Sequence, residues 1–176
     1  LHSVGLAGLL HDYGKALIPH EILTAPRSLT FQEVETMRGH VQLGVEKIKK
    51  FSSVDQETIE GIEQHHEKHN GTGYPYRLSG KQIGVIGRVL SLSDVYDALS
   101  SKRVYKGALP PNKALGMMYK MRGQAWAPGY VERFIKMVGI FPVGTAVELS
   151  NEHRGIVCRS NTNFPAQPCV LVVQVP

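Results

Sequence analysis

The chain has 176 residues, of which 42% are hydrophobic and 20% are charged. This composition is typical of a globular protein with one packed core and argues against disorder. No apolar stretch approaches the roughly 20 residues that a membrane-spanning helix needs, and no signal peptide is visible. The net charge of +5 comes from scattered basic residues, so it fits an anionic ligand but does not predict a nucleic-acid-binding surface.

Apolar side chains recur at helical spacing along most of the chain, which predicts a mainly α fold. Start and stop signals predict six helices, over residues 1–13, 30–50, 53–66 and 83–100, after Pro110-Pro111, and over 128–138. A Gly- and Pro-containing loop follows the third helix at residues 70–75. The first helix begins inside its apolar pattern, so its N-terminal part is expected to be missing.

Beyond Gly139 the pattern changes to short β-type runs separated by Asn, Pro and Gly, at residues 145–149, 155–159 and 170–175. We therefore predict a helical domain over residues 1–139 and a small β-type C-terminal extension over 140–176. The two cysteines, Cys158 and Cys169, form no metal-type or redox-type motif and predict free thiols in a reducing cytoplasm.

The adjacent pair His11-Asp12 lies at the predicted end of the first helix. Lys15 follows four residues after His11 and three after Asp12, so a base, an acid and a cation lie on one helix face if the last turn of the helix holds. The alternative interpretation is a solvated polar cluster, which is common at helix ends. Residues elsewhere in the chain must decide between the two.

Three further histidines occupy inward-facing positions. His40 lies beside the apolar stripe of the second helix, where a single histidine is usually structural. His65 and His66 end the third helix, and His66 continues the apolar stripe of that helix toward the core. Burying two imidazoles without a ligand would be costly, which favours a binding role.

Asp94 is the most informative single residue. It continues the apolar row that Ile86 and Leu90 begin, stepping by four along one face of the fourth helix. A carboxylate at such a position persists only beside a cation or a metal ion. The histidine-rich context favours a metal, with Arg88 or Arg103 as the alternative partner.

Together these residues predict a multinuclear metal centre in a helical bundle. Six ligands are too many for one zinc ion. Imidazole and carboxylate donors without thiolate suit Fe or Mn, with Zn or Ni as alternatives. Asp12 is suited to bridging two ions. The predicted ligands come from four successive helices and are His11, Asp12, His40, His65, His66 and Asp94.

Several ordered motifs resemble the HD-GYP subgroup of the HD phosphohydrolase superfamily, and the likeness extends over nearly the whole chain. They are HDYGK at residues 11–15, PHEIL at 19–23, LTFQEVETMRGHVQLG at 29–44, HHEKHNGTGYP at 65–75 and SDVYDALSSKRVYK at 93–106. The resemblance implies that residues 1–139 form an HD-domain helical bundle. It also implies hydrolysis of the bacterial second messenger cyclic di-GMP to linear pGpG and, in some members, onward to GMP.

The resemblance assigns roles to individual residues. It implies the same six ligands for a di- or trinuclear centre, at which a metal-activated water would attack phosphorus in line. Asp12 and Lys15 would be catalytic, with Lys15 offsetting the charge on the phosphate oxygens. The implied substrate-binding residues are Gly73, Tyr74, Pro75, Arg103 and Lys106.

Three differences from the family pattern accompany the resemblance. The family has a further histidine that would lie upstream of residue 1, which leaves the number of metal ions open. Asn70 stands where Asp is usual, and it keeps a turn former that can bond the main chain. Tyr13 replaces an aliphatic residue, which is a change of packing.

An upstream sensory domain, a diguanylate-cyclase-type domain and a homodimer are expected partners of such a domain. Two other interpretations stay open at this point. One is a phosphohydrolase that acts on another nucleotide, such as a different cyclic dinucleotide, a linear dinucleotide or a nucleoside polyphosphate. The GYP loop argues against it without excluding other dinucleotides. The other is a noncatalytic receptor or scaffold that binds the cyclic dinucleotide without cleaving it.

Overall fold

The helices of the protein precede its strands. The computed structural model describes residues 1–101 and 107–174, with only the backbone of Gln174. The α-helices among these residues are α1 (His2–Leu10), α2 (His20–Leu23), α3 (Phe31–Arg38), α4 (His40–Ile48), α5 (Gln56–Gln64), α6 (Val85–Ser100), α7 (Pro111–Lys120) and α8 (Tyr130–Val138). Short 3₁₀ helices cover Tyr13–Leu17 and Gly80–Gln82.

The strands follow as β1 (Ala146–Glu148), β2 (Arg154–Arg159) and β3 (Cys169–Gln174). They form one antiparallel sheet in the order β1-β2-β3. The predicted mainly α fold with a β-type extension is thus confirmed, while the domain boundary at residue 139 stays a prediction. Within the described ranges, no helix combines the length and apolar character that crossing a bilayer requires.

Two helix starts follow the capping signals in the sequence. At α3, Thr30 Oγ1 accepts a hydrogen bond from the Glu33 N–H, and the Glu33 carboxylate accepts one from the Thr30 N–H. At α5, the Asp55 carboxylate accepts a hydrogen bond from the Thr58 N–H, so Asp55 and not Ser53 is the cap.

The prediction of one continuous helix over residues 30–50 is wrong, because Gly39 separates α3 from α4. Next to this break, His40 Nδ1 lies 2.6 Å from the carbonyl oxygen of Met37. In an uninterrupted helix that carbonyl would accept the N–H of Val41, so the imidazole competes with the main chain for it. Helix α2 and the two 3₁₀ helices were not predicted, since three to five residues are too few to show a helical period.

Two apolar clusters hold the helices together, and α6 contributes to both. The first joins α1, α4, α5 and α6 through Ala7, Val45, Ile48, Ile59, Ile62 and Leu90. The second joins α6, α7 and α8 through Leu92, Leu115, Met118, Ala125, Trp126 and Val131. Because α6 packs into both clusters, the part of this helix that carries Asp94 is held in place from two sides.

Candidate metal centre

Three histidines at helix ends hold their rings in the same way. His11 follows α1, His40 follows the break at Gly39, and His65 follows α5. The Nδ1 atom of each ring lies 2.6 to 2.8 Å from the carbonyl oxygen three residues earlier. Carbonyls at a helix end lack an intrahelical partner and accept the Nδ1–H. In its neutral form each ring is thereby held in the tautomer whose Nε2 carries the free lone pair.

These rings surround the carboxylate of Asp12. His11 Nε2 lies 3.3 Å from Asp12 Oδ2, and His40 Nε2 lies 3.4 Å from Asp12 Oδ1. The ring centroid of His65 is 5.0 Å from that of His11 and 3.9 Å from that of His66. His66 is in turn 5.2 Å from His40. Four imidazoles from three helix ends, with His65 and His66 both following α5, therefore lie around one carboxylate.

A close main-chain contact brings His11 and Asp12 to His40. The 3₁₀ helix Tyr13–Leu17 packs directly on α4, and Gly14 is buried at the contact. A Cβ atom on Gly14 would lie 1.8 Å from the His40 carbonyl oxygen, and one on Gly44 would lie 2.9 Å from the Gly14 nitrogen. Only glycine allows the two segments to approach this closely.

Asp94 reaches the cluster from α6. Its Oδ2 lies 3.9 Å from His66 Nδ1, and 19% of its side chain is exposed. Arg88, the alternative partner, is engaged elsewhere, because it donates to the Tyr130 hydroxyl and to the Gly80 carbonyl. Arg103, the other alternative, lies outside the described residues.

The donor atoms form two groups that share Asp12. One group contains Asp12, His40, His65 and His66, and the other contains His11, Asp12 and Asp94. Within each group the donor atoms lie within 4.8 Å of one another. A carboxylate that belongs to two donor groups is what a bridge between two metal ions requires.

The buried atoms of the cluster fit a bound cation. Asp12 Oδ1, His40 Nε2 and His65 Nε2 are buried and make no hydrogen bond within the described part of the chain. Such atoms are costly unless something satisfies them. A cation at the cluster would satisfy all three, and nitrogen and oxygen donors without thiolate suit Fe, Mn, Ni or Zn.

The protonation states of the cluster also fit metal binding. Burial lowers the pKa of His65 to about 4, and burial together with the neighbouring imidazoles lowers the pKa of His66 to about 2. Burial would raise the pKa of Asp12, but the adjacent His11 and His40 rings and the Lys15 ammonium outweigh it and hold this pKa well below its usual range. His65 and His66 are therefore neutral and Asp12 is ionised at neutral pH, as metal ligation requires.

His11 differs from the other two, since its hydrogen bond with Asp12 raises its pKa. When the His11 ring is protonated, Nε2 must release its proton before it can bind an ion, and this couples ion binding to proton release. Lys15 completes the polar surroundings of Asp12, with its Nζ 2.5 Å from Oδ2.

A cavity of about 360 Å³ opens onto the cluster. Its polar side is formed by Lys15, His40, His66, Tyr74 and Asp94. The other lining residues are largely apolar and form an apolar wall that comes mainly from the segment between the 3₁₀ helix and α3, with Ile22, Leu23, Ala25, Arg27, Leu29, Met37 and Ala98. Sequence reasoning missed this apolar wall, because the segment has no periodicity that would reveal which side chains face the cluster.

The GYP loop lies over the histidine pair. The Tyr74 N–H donates to the His66 carbonyl, and the two rings stack with centroids 4.6 Å apart. Tyr74 thus borders the cavity at the cluster, whereas Gly73 and Pro75 line a neighbouring cavity of about 540 Å³. Of the other predicted substrate-binding residues, Arg103 and Lys106 lie outside the described part of the chain.

Glu67 is a buried residue that sequence reasoning missed. Only 2% of it is exposed, and its carboxylate accepts hydrogen bonds from the N–H groups of Tyr76 at 2.7 Å and Leu78 at 3.0 Å. Gly73 packs against the same segment, since a Cβ atom there would lie 2.4 Å from Glu67 Cα. The carboxylate directly after the histidine pair was the available signal.

Asn70 shapes the beginning of the loop in the way that the sequence predicted. Its Oδ1 accepts hydrogen bonds from the Thr72 N–H at 3.1 Å and from the Thr72 hydroxyl at 2.7 Å. This is an Asx turn, which needs the side-chain oxygen and not a charge.

Comparison with known proteins shows what the chain is similar to. The HD domain family model matches residues 1–128. The cyclic di-GMP phosphodiesterase PA4108 of Pseudomonas aeruginosa is 36% identical over 172 residues, covering 98% of this chain and 41% of the relative. The 3'3'-cGAMP-specific phosphodiesterase 2 of Vibrio cholerae is 37% identical over 131 residues, covering 74% of this chain and 25% of the relative.

The solved structure of Bd1817, an HDG"Y"P protein from Bdellovibrio bacteriovorus, matches with a TM-score of 0.61 and 24% identity. The match covers 77% of this chain and 42% of that one, and it shows a common fold. The chain spans less than half the length of these relatives. Because the family model covers most of the chain, the family recognised from its motifs is confirmed: the protein belongs to the HD domain family.

Proposed function

We propose that this chain is a metal-dependent phosphodiesterase domain that hydrolyses cyclic di-GMP to linear pGpG, with GMP as the product of a second hydrolysis at the same site. The observation that carries the proposal is the sharing of Asp12 between two groups of donor atoms beside an open cavity. Relatives named as phosphodiesterases of cyclic di-GMP or 3'3'-cGAMP support a cyclic dinucleotide as the substrate.

The proposed centre is di- or trinuclear, held by His11, Asp12, His40, His65, His66 and Asp94, with Fe or Mn favoured. Bound ions would supply Lewis acidity and lower the pKa of water for attack on phosphorus. The chain's own part is to hold the imidazoles through their carbonyl bonds and to keep Asp12 ionised.

Lys15 and Tyr74 are the side chains that we propose to meet the substrate phosphate. Lys15 borders the cavity, and its ammonium would offset the negative charge that grows on the phosphate oxygens. Burial raises the pKa of Tyr74, so its phenol stays protonated and can donate a hydrogen bond. Arg103 and Lys106 join this proposal on the strength of the motif alone.

The apolar wall of the cavity suits a nucleobase, because bases bury their flat faces against apolar side chains. A cytoplasmic location, a sensory or diguanylate-cyclase-type partner and a homodimer complete the proposal. They rest on the resemblance of the motifs.

The test is metal analysis of anaerobically purified protein, followed by chromatography of the products formed from cyclic di-GMP. Asp12→Ala and His66→Ala should lose bound metal and turnover together, whereas Arg103→Ala should chiefly raise KM. His153→Ala is the matched control, since this histidine lies in the β extension and should keep both properties. Full turnover in Asp12→Ala would refute the proposal.

Two outcomes would redirect the proposal. Tight binding of cyclic di-GMP by the metal-loaded protein without formation of pGpG would identify a receptor. A preference for 3'3'-cGAMP in a competition assay would favour the second candidate substrate, which the Vibrio cholerae relative's name supports.

A further inference from the structure

The two cysteines of the chain meet across strands β2 and β3. Val157 pairs with Val170, and Arg159 pairs with Cys169, so the register shifts between these two pairs. Cys158 is the additional residue at the shift, and a bulge of this kind sets two residues of one strand opposite one residue of the other. Cys158 and Arg159 therefore both oppose Cys169.

Both thiols lie on the solvent-facing side of the sheet. Burial alternates along β2 until the bulge, where Cys158 and Arg159 are both exposed. Cys169 is exposed as well, and both cysteines are free, as predicted. The Cys158 Sγ lies 3.4 Å from the Cys169 carbonyl oxygen. Opposed residues in an antiparallel pair have Cα atoms about 4.5–5.5 Å apart, within the span of a disulfide.

A cation accompanies the pair. Arg159 Nη2 lies 3.5 Å from Cys169 Sγ. A guanidinium at this distance can stabilise the negative charge on the sulfur atom that attacks an oxidant or a disulfide. Since the chain has no other cysteine, each thiol can form an intramolecular disulfide only with the other.

We propose that Cys158 and Cys169 are a reversible redox site, oxidised by hydrogen peroxide to a disulfide that links β2 to β3. The Cys169 thiolate attacks the peroxide, the O–O bond breaks, and the released hydroxide is protonated to water. Cys158 then attacks the resulting sulfenic sulfur, an S–S bond forms, and a second water leaves. Two thiols are oxidised and one peroxide is reduced to two waters.

The disulfide would link β2 covalently to β3 on the solvent-exposed face of the sheet. It would be accessible to cellular thiols because both sulfur atoms are exposed, so it would be reversible. The site is independent of the proposed hydrolase activity, and its test uses no substrate.

The experiment treats the reduced chain with hydrogen peroxide, blocks remaining thiols with N-ethylmaleimide and measures the intact mass. The expected product is a monomer lighter by two hydrogens, about 2 Da, without maleimide adducts. Dithiothreitol before blocking should restore two adducts. Arg159→Gln should form the same disulfide more slowly, because the thiolate loses its neighbouring cation.

Cys158→Ser and Cys169→Ser are the matched controls, and neither can form the internal link. Two blocked thiols after peroxide treatment of the parent chain would overturn the proposal, as would cross-linked dimers in place of the lighter monomer. Equal oxidation rates in Arg159→Gln and the parent chain would overturn the role of Arg159.

Discussion

The helices that carry the candidate metal centre and the β extension differ in how much of their geometry packing determines. We call the first region the site helices; it contains α1, the 3₁₀ helix Tyr13–Leu17, α4, α5 and α6. Here two main-chain segments touch at Gly14, and three imidazoles form hydrogen bonds to main-chain carbonyls. In the extension, the side chains of Leu171 and Val173 on β3 are 62% and 61% exposed.

The difference teaches where the chain requires precision. A donor atom must be held close to its productive position to bind an ion, and backbone contacts with carbonyl bonds do this better than flexible side chains. The extension holds no donor of the cluster, so its strands need only a modest apolar contact with the rest of the chain. We expect substitutions in the two regions to separate stability from metal binding.

The largest expected effect is that of Gly14→Ala. The new Cβ would lie 1.8 Å from the His40 carbonyl oxygen, and neither segment can move without displacing His40 or Asp12. We expect a loss of roughly 3 kcal/mol in the free energy of unfolding, at the upper end for an overpacked site. Urea unfolding and metal analysis would measure it. Wild-type stability with full metal content would contradict the close approach.

Glu67→Ala should have the next largest effect. It leaves the N–H groups of Tyr76 and Leu78 without their acceptor, at a cost of about 2 kcal/mol for a buried polar site. Because Glu67 holds the GYP loop and is not a donor of the cluster, KM should rise while metal content stays unchanged. Hydrogen exchange at the two amides would detect the opened loop.

Glu67→Gln is the matched control, since it keeps one acceptor oxygen at nearly the same volume. It should lie between the parent chain and Glu67→Ala in both KM and amide exchange. Loss of metal in either variant would show that the loop supports the metal cluster itself. It would contradict the expectation that Glu67 affects KM without affecting metal content.

Val157→Ala tests the extension directly. Val157 is 1% exposed, and removing two of its carbon atoms should cost about 1.5 kcal/mol. We expect lower stability with unchanged metal content and unchanged turnover. A fall in turnover would break the comparison, because it would show that the sheet positions the site helices. Thermal unfolding with and without added metal would separate these outcomes.

The identities of the candidate donors could be predicted because inward polar residues violate the apolar pattern. Asp94 interrupts a row of apolar positions, and the His65-His66 pair ends a helix on its buried face. The structure brings both to His11 and Asp12. Helical spacing shows which residues lie on the same face as the apolar side chains, so these predictions needed no knowledge of how the helices pack.

The remaining features depend on contacts between distant segments. The break at Gly39 follows from a ring that competes for one carbonyl, which no period reveals. The apolar wall at Ile22 and Leu29 comes from a segment too irregular to orient from sequence. Glu67 is buried because the loop folds back over its carboxylate, and the sequence does not show this contact.

The smallest expected effect is that of Gly116→Ala, which tests a glycine without close contacts. Gly116 lies within α7 and is exposed, and a Cβ atom added there would meet no atom of the described residues within 4 Å. Gly116→Ala should therefore stabilise the chain by about 0.5–1 kcal/mol, because alanine loses less backbone entropy in a helix. The unfolding temperature should rise by roughly 2 °C, with unchanged metal content. If Gly116→Ala destabilised the chain as much as Gly14→Ala, glycine would be required even where no close contact exists. The close main-chain contact at Gly14 would then no longer distinguish the site helices from the rest of the fold.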